Sequence, residues 1–250
     1  MKFLSFFAGI GGIDLGLERA GHKCVGQCEI NPFALRVLAK HWPDVPRFGD
    51  IREINPDELP EADLWCGGFP CQDISQAGKR EGINGPRSGL FFDWWGLVCK
   101  TRPRYVLMEN TPGVFSRGLG EILSALASGG YDAEWQVYAA SDVGAPHIRE
   151  RFFLLAYPRR YGGVQGEILH RVPCEDIPRK THRPGTKEVW MPGIKRRVGR
   201  SGRIVPECAY ARVDDGLSTT LDEDRMRCLG NAVVPQVAEY IGRLLQEAAQ

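Results

Sequence analysis

Two periodicities alternate along the first 157 residues. Short, nearly unbroken apolar runs recur at Lys2-Phe3-Leu4-Ser5-Phe6-Phe7, Lys23-Cys24-Val25-Gly26-Gln27-Cys28, Ala62-Asp63-Leu64-Trp65-Cys66 and Arg104-Tyr105-Val106-Leu107-Met108. Such runs suit strands covered on both faces. Between them lie stretches with helical spacing: 13–20 with apolar Ile13, Leu15 and Leu17; 33–41, opened by Asn31-Pro32; 89–98; and 118–128. A short third strand ends in Phe48-Gly49-Asp50-Ile51, and the runs 134–138 and 152–157 predict a late hairpin. Strands alternating with helices predict an α/β fold. From about Pro158 the pattern dissolves into Pro- and Gly-rich sequence, and helical spacing returns at 221–228 and 234–249.

Composition removes some function classes. A 43% hydrophobic and 25% charged chain is ordinary for a globular protein, and no apolar run nears the roughly 20 residues needed to cross a membrane. The N-terminus is soon broken by glycine and does not read as a signal peptide, so a cytoplasmic location is expected. The eight cysteines form no Cys-x-x-Cys pair, which argues against a zinc site and for reduced thiols, one of them a candidate nucleophile. Net charge is only +1, but 159–212 holds 13 Lys/Arg against 5 Asp/Glu. That excess reads either as a polyanion-facing surface or as a solvated insert.

The chemistry-bearing residues fall at predicted strand ends, where open α/β sheets bind ligands. After the first strand, Ala8-Gly9-Ile10-Gly11-Gly12 forms a glycine turn into a helix, suited to close approach of a ligand. It lacks the third glycine of the dinucleotide fingerprint, since Asp14 stands there. Glu29 ends the second strand, placed either to bind ribose hydroxyls or to serve the next helix start. Asp50 reads as a contact to an adenine amino group or as the cap of the following turn. The fourth strand runs into Gly67-Gly68-Phe69-Pro70-Cys71-Gln72. Two glycines permit a sharp turn where a Cβ would clash, and Pro70 stiffens the loop that presents the Cys71 thiol. Taken alone, that cysteine could equally be a small buried hydrophobe. The polar, glycine-rich stretch 76–87 is placed to close over a substrate. Glu109 ends the fifth strand, as a catalytic or a structural acid. Arg149 and Arg151 alternate onto one face of an extended segment, suited to phosphate or base contacts or simply solvated.

Together, Phe7-Ala8-Gly9-Ile10-Gly11-Gly12, Glu29, Asp50-Ile51, Gly68-Phe69-Pro70-Cys71-Gln72, Glu109-Asn110, Arg149-Glu150-Arg151 and Gly230-Asn231-Ala232-Val233-Val234-Pro235 resemble the motifs of C5-cytosine DNA methyltransferases. The resemblance spans roughly 3–157 and 214–245. Thr111 stands where that family usually has Val, and His147 where it has Gln. The resemblance implies a Rossmann-like sheet that binds S-adenosylmethionine. Its catalytic domain would comprise 1–157 plus 214–250, with 158–213 as a short basic target-recognition segment. It implies Cys71 as nucleophile, Glu109 as the acid at cytosine N3, and Arg151 with Arg149 as holders of the base. Phe7, Ala8, Gly9, Ile10, Gly11, Gly12, Glu29, Ile30, Asp50, Ile51, Pro70, Asn231 and Val233 would form the cofactor pocket, with no metal.

The expected activity is methyl transfer to C5 of a flipped cytosine in double-stranded DNA. The alternatives are a tRNA cytosine-5 methyltransferase and a degenerate DNA-binding homologue. The Cys-Phe-Thr stretch of the tRNA-modifying relatives is not seen here, and intact Cys71, Glu109 and Arg151 speak for turnover. A monomer in the cytoplasm of a bacterial host is expected, with a cognate restriction endonuclease as a candidate partner.

Overall fold

The computed structural model describes residues 1–70, 89–143, 149–159, 168–169, 196–198, 204–206, 224, 228 and 231–249. A seven-stranded sheet forms the centre: β1 (Lys2–Phe6), β2 (Lys23–Cys28), β3 (Arg47–Phe48), β4 (Leu64–Gly67), β5 (Tyr105–Asn110), β6 (Tyr131–Ala139) and β7 (Glu150–Pro158). The spatial order is β3-β2-β1-β4-β5-β7-β6. Strands β1 to β5 are parallel, whereas β7 runs antiparallel to both β5 and β6. The chain therefore builds outward from β1 through β2 and β3, then resumes with β4 on the other side. The crevice where the connections diverge lies at the carboxyl ends of β1 and β4. Because β7 is reversed, its beginning, not its end, reaches that same edge.

The helices described end to end are α1 (Gly12–Arg19), α2 (Pro32–His41), α3 (Leu90–Thr101), α4 (Val114–Arg117), α5 (Leu119–Ser128) and α6 (Pro235–Ala248). The near-continuous apolar runs are explained by burial on both faces. Leu64, Cys66, Tyr105, Leu107, Phe153 and Leu155 join the core that holds α1 and α6. Their neighbours Trp65, Val106, Met108, Phe152 and Leu154 join the core under α3 and α5. Burying each large side chain is worth about 1.5–3 kcal/mol, so two filled faces suffice to hold a sheet of this size. Asn31 starts α2 by accepting hydrogen bonds from the Phe33 and Ala34 amides, with Pro32 in the first turn.

The last helix lies on the first. A Cβ on Gly16 would overlap the Pro235 carbonyl and Ala238, so α1 and α6 touch backbone to backbone. This is how a C-terminal segment comes to flank an N-terminal glycine loop. The expected hairpin is present as β6 and β7. Of the helical stretch expected at 221–228, residues 224 and 228 are described and both are helical. In the basic stretch, β8 (Arg196–Val198) and β9 (Ile204–Pro206) form a two-stranded antiparallel ladder. Ile168 and Leu169 are buried in the core with α1 and α6.

Candidate active site

The glycine loop is a tight, left-handed path between β1 and α1. Phe7, Gly9 and Gly11 have φ of 52°, 55° and 81°. A non-glycine residue at such an angle is held there by its surroundings. The Ala8 amide bonds to the Cys28 carbonyl at 3.1 Å, and the Phe7 ring meets Trp94 edge-on at 6.0 Å. A Cβ on Gly9 would meet no described atom within 4 Å, whereas one on Gly12 would sit 2.6 Å from the Val233 carbonyl oxygen. Gly9 thus borders open space and Gly12 is pressed against the 231–234 segment. Val233 is buried, Asn231 exposed and Ile10 half-buried.

Glu29 takes up one of its two sequence readings, serving the start of the next helix. Its Oε2 accepts the Gly9 amide at 2.7 Å, while Oε1 accepts the amides of Ile30 and Asn31 at 2.8 and 2.7 Å. The carboxylate thereby binds the glycine loop to the start of α2, and a carboxylate has lone pairs left for a further donor. Next to it, Ile30 is 63% exposed, an apolar side chain offered at the crevice. Asp50 is a cap in this structure. It accepts the Arg52 amide at 3.0 Å and pairs with the Arg52 guanidinium, which holds its carboxyl down at about 2. Ile51 beside it is buried.

The other half of the crevice centres on Glu109. This carboxyl is 7% exposed at the end of β5, and Arg151 Nε lies 2.8 Å from its Oε1. Burial pushes its pKa up to about 7, against the opposing pull of Arg151 and Arg149. Desolvation wins because the pocket removes almost all water from the charged form, while one guanidinium restores only part of that stabilisation. Gly68 lies directly against this group, and Gly67 against Phe6 on β1. A Cβ on Gly68 would overlap Glu109 Oε2, and one on Gly67 would come within 2.6 Å of the Phe6 carbonyl oxygen. Neither glycine has a left-handed φ. They are required by close approach rather than by the sharp turn the sequence suggested.

Asn110 then fixes the loop itself: its Nδ2 donates to the Phe69 carbonyl at 3.3 Å, and its Oδ1 accepts the Thr111 amide at 2.8 Å. The Phe69 ring is buried against Phe91 at 5.4 Å. Cys71, the stretch 76–87 and His147 lie outside the described residues. Pro70, half-buried, is the last described residue before Cys71, whose Cα is about 3.8 Å further on. Among the described cysteines, burial pushes the thiols of Cys24, Cys28, Cys66 and Cys99 up, Cys28 to about 12, so these stay protonated at neutral pH.

Arg149 and Arg151 have different partners. Arg151 faces Glu109, whereas Arg149 Nη2 donates to the Ala232 carbonyl at 2.8 Å. Arg149 thus links the start of β7 to the segment that covers Gly12. Two groups escaped sequence reasoning. Asn110 drew no separate role, and Asp14 entered only as the residue that breaks the dinucleotide glycine pattern. Asp14 is fully buried and accepts from Ser5 Oγ and Gln27 Nε2, both at 2.8 Å, tying α1 to β1 and β2 below the glycine loop. Its place three residues before Leu17, on the apolar side of the helix, was the available signal.

Residues 1–188 match the family model of the C-5 cytosine-specific DNA methylases. The chain belongs to that family. Type II methyltransferase M2.BsuMI of Bacillus subtilis is 44% identical over 164 residues, covering 62% of this chain and 42% of that protein. M.MspI of Moraxella is 39% identical over 161 residues, covering 62% and 38%. The match spans less than half the length of these relatives. The S. pombe Dnmt2 methyltransferase superposes with a TM-score of 0.71 at 17% identity, covering 100% of this chain and 99% of that one, a likeness of fold. The C-5 cytosine methylase family takes its methyl group from S-adenosylmethionine. The residues here fit such a molecule: open space over Gly9, a carboxylate at Glu29, and apolar surface from Ile30 and Phe7. Among the described residues no cluster of metal-binding side chains occurs, and no helix is long and apolar enough to cross a membrane.

Proposed function

We propose that this chain methylates C5 of cytosine in double-stranded DNA. The observation that carries the reading is the seating of the loop leading to Cys71 on a protonatable acid. Gly68 packs on the Glu109 carboxyl, and two residues, Phe69 and Pro70, separate it from Cys71, a reach of at most about 11 Å. C5 of cytosine is a poor nucleophile. Addition of the Cys71 thiolate to C6 makes C5 electron-rich, and the charge this places on the ring accumulates at N3. A carboxyl poised near 7 is able to donate a proton there at neutral pH, and Arg151 holds it in place. Bound S-adenosylmethionine supplies an electrophilic methyl group. Loss of the C5 proton then expels Cys71 and restores the ring.

Glu29 would accept from ribose hydroxyls, Phe7, Ile30 and Ile51 would line the adenine, and Gly9 to Gly12 with Asn231 and Val233 would surround the remainder. Asp50, Ala8, Ile10 and Pro70 complete that pocket. Arg149 supports the base-binding side through the Ala232 carbonyl. Inside a duplex the cytosine is out of reach, so it must be flipped. The basic stretch 158–213 is the surface for the phosphates and the recognition sequence. A monomer in a bacterial cytoplasm, paired with a cognate restriction endonuclease, completes the reading.

The test is base-resolution 5-methylcytosine mapping of DNA from a methylation-free host expressing wild type or Cys71→Ser. Methylation in one short context, present only with wild type, is expected. Soluble wild type that binds S-adenosylmethionine yet leaves DNA unmodified would refute the reading and direct the search to tRNA.

A further inference from the structure

Two buried polar side chains lie outside the site described above, and both reach the backbone of the same residue. Glu134 and Tyr138 sit four residues apart on β6, hence on one face. Glu134 Oε2 accepts the Leu169 amide at 3.1 Å, and the Tyr138 hydroxyl donates to the Leu169 carbonyl at 2.7 Å. Leu169 is fully buried, and Ile168 nearly so. The Tyr138 ring is itself held by edge contacts to Phe153 at 5.9 Å and Tyr240 at 6.0 Å. A single residue gripped at both its N–H and its C=O is fixed in position and direction.

That direction bears on function. The chain leaves β7 at Pro158, which pairs with Tyr131 at the end of the sheet away from the site. Leu169 lies with its amide toward Glu134 and its carbonyl toward Tyr138, so it runs along β6 back toward the catalytic edge. There Tyr138 is in register with Arg151, the partner of Glu109. His170 and Arg171 follow at once and open most of the basic stretch.

We infer that Glu134 and Tyr138 are positioning residues, which anchor the start of the DNA-recognition segment two strands away from the catalytic carboxyl. The segment effectively begins after Leu169, and the clamp sets where its positive charge departs from the sheet. The inference rests on the DNA methyltransferase reading.

The test uses full-length Tyr138→Phe, Glu134→Ala and Glu134→Gln. Tyr138→Phe keeps the ring and removes one hydrogen bond; Glu134→Gln keeps an oxygen to accept the Leu169 amide. A buried group that loses its partner typically forfeits on the order of ten-fold in an equilibrium. Tyr138→Phe and Glu134→Ala are therefore expected to exchange the Leu169 amide about ten-fold faster. They should raise KM for cognate DNA about ten-fold with kcat retained, and methylate near-cognate sites more. S-adenosylmethionine affinity should stay at the wild-type value, and Glu134→Gln should recover most of the loss. A merely structural role would instead lower thermal stability and cofactor affinity together. Wild-type KM and site choice in Tyr138→Phe and Glu134→Ala would overturn the inference. DNA left unmodified by wild type would overturn the methylation reading instead, and the Leu169 exchange rate would still decide whether the clamp anchors the chain.

Discussion

Replacing Glu109 by Gln should change how stability depends on pH in a calculable way. In the folded chain the carboxyl titrates at about 7, raised from the 4.5 of an unperturbed Glu. A raised acid pKa means that the folded state holds the proton more tightly than the unfolded state does. Its contribution is therefore fully present below about 4.5 and is lost as pH rises toward 7, beyond which the loss is complete. One pKa unit is about 1.4 kcal/mol, and the linkage expression gives a loss on the order of 2–3 kcal/mol between pH 5 and pH 8. Gln does not titrate. Stability of wild type minus Glu109→Gln should thus fall by roughly 2–3 kcal/mol over that interval, whatever its absolute value. The absolute value also contains the cost of leaving Arg151 without its counter-charge. Urea denaturation followed by tryptophan fluorescence at four pH values measures this difference, and other titrating groups cancel in it. A flat difference, or one that rises with pH, would show that Arg151 dominates and the carboxyl is ionised throughout. The proton donor at N3 would then have to be sought elsewhere. The same titration should appear in methyl transfer, with single-turnover rate falling above about pH 7 in wild type.

Asn110→Ala removes the donor on the Phe69 carbonyl and should slow methyl transfer roughly ten-fold with S-adenosylmethionine affinity unchanged, read by rapid-quench kinetics beside calorimetry. Equal loss of both would show that Asn110 supports the whole crevice rather than the Cys71 loop. Gly12→Ala sets a Cβ against the Val233 carbonyl, where neither backbone can yield cheaply, and should cost about 1–3 kcal/mol in thermal unfolding together with cofactor affinity. A wild-type melting temperature would mean that 231–234 does not seat on the glycine loop.

Local chemistry determined a good deal of this protein. The apolar runs of β1, β2, β4 and β5 could only be strands covered on both faces, and Asn31-Pro32 could hardly do other than start a helix. Glycines at the ends of β1 and β4 marked the two loops on either side of the crevice, and acids at strand ends marked what faces it. These signals are carried by neighbours within a few residues, so they survive in the linear chain. Tertiary structure decided what the marked residues do. Glu109 is an ordinary carboxyl until burial and Arg151, brought alongside by a reversed β7, set its protonation. Arg149 looked like a twin of Arg151, yet its partner lies 83 positions away at Ala232. Asp14, Asn110 and the Leu169 clamp are likewise invisible locally, since each is defined by partners on other strands. Desolvation and long-range pairing depend on which surfaces meet, and that is known only once the sheet has been assembled.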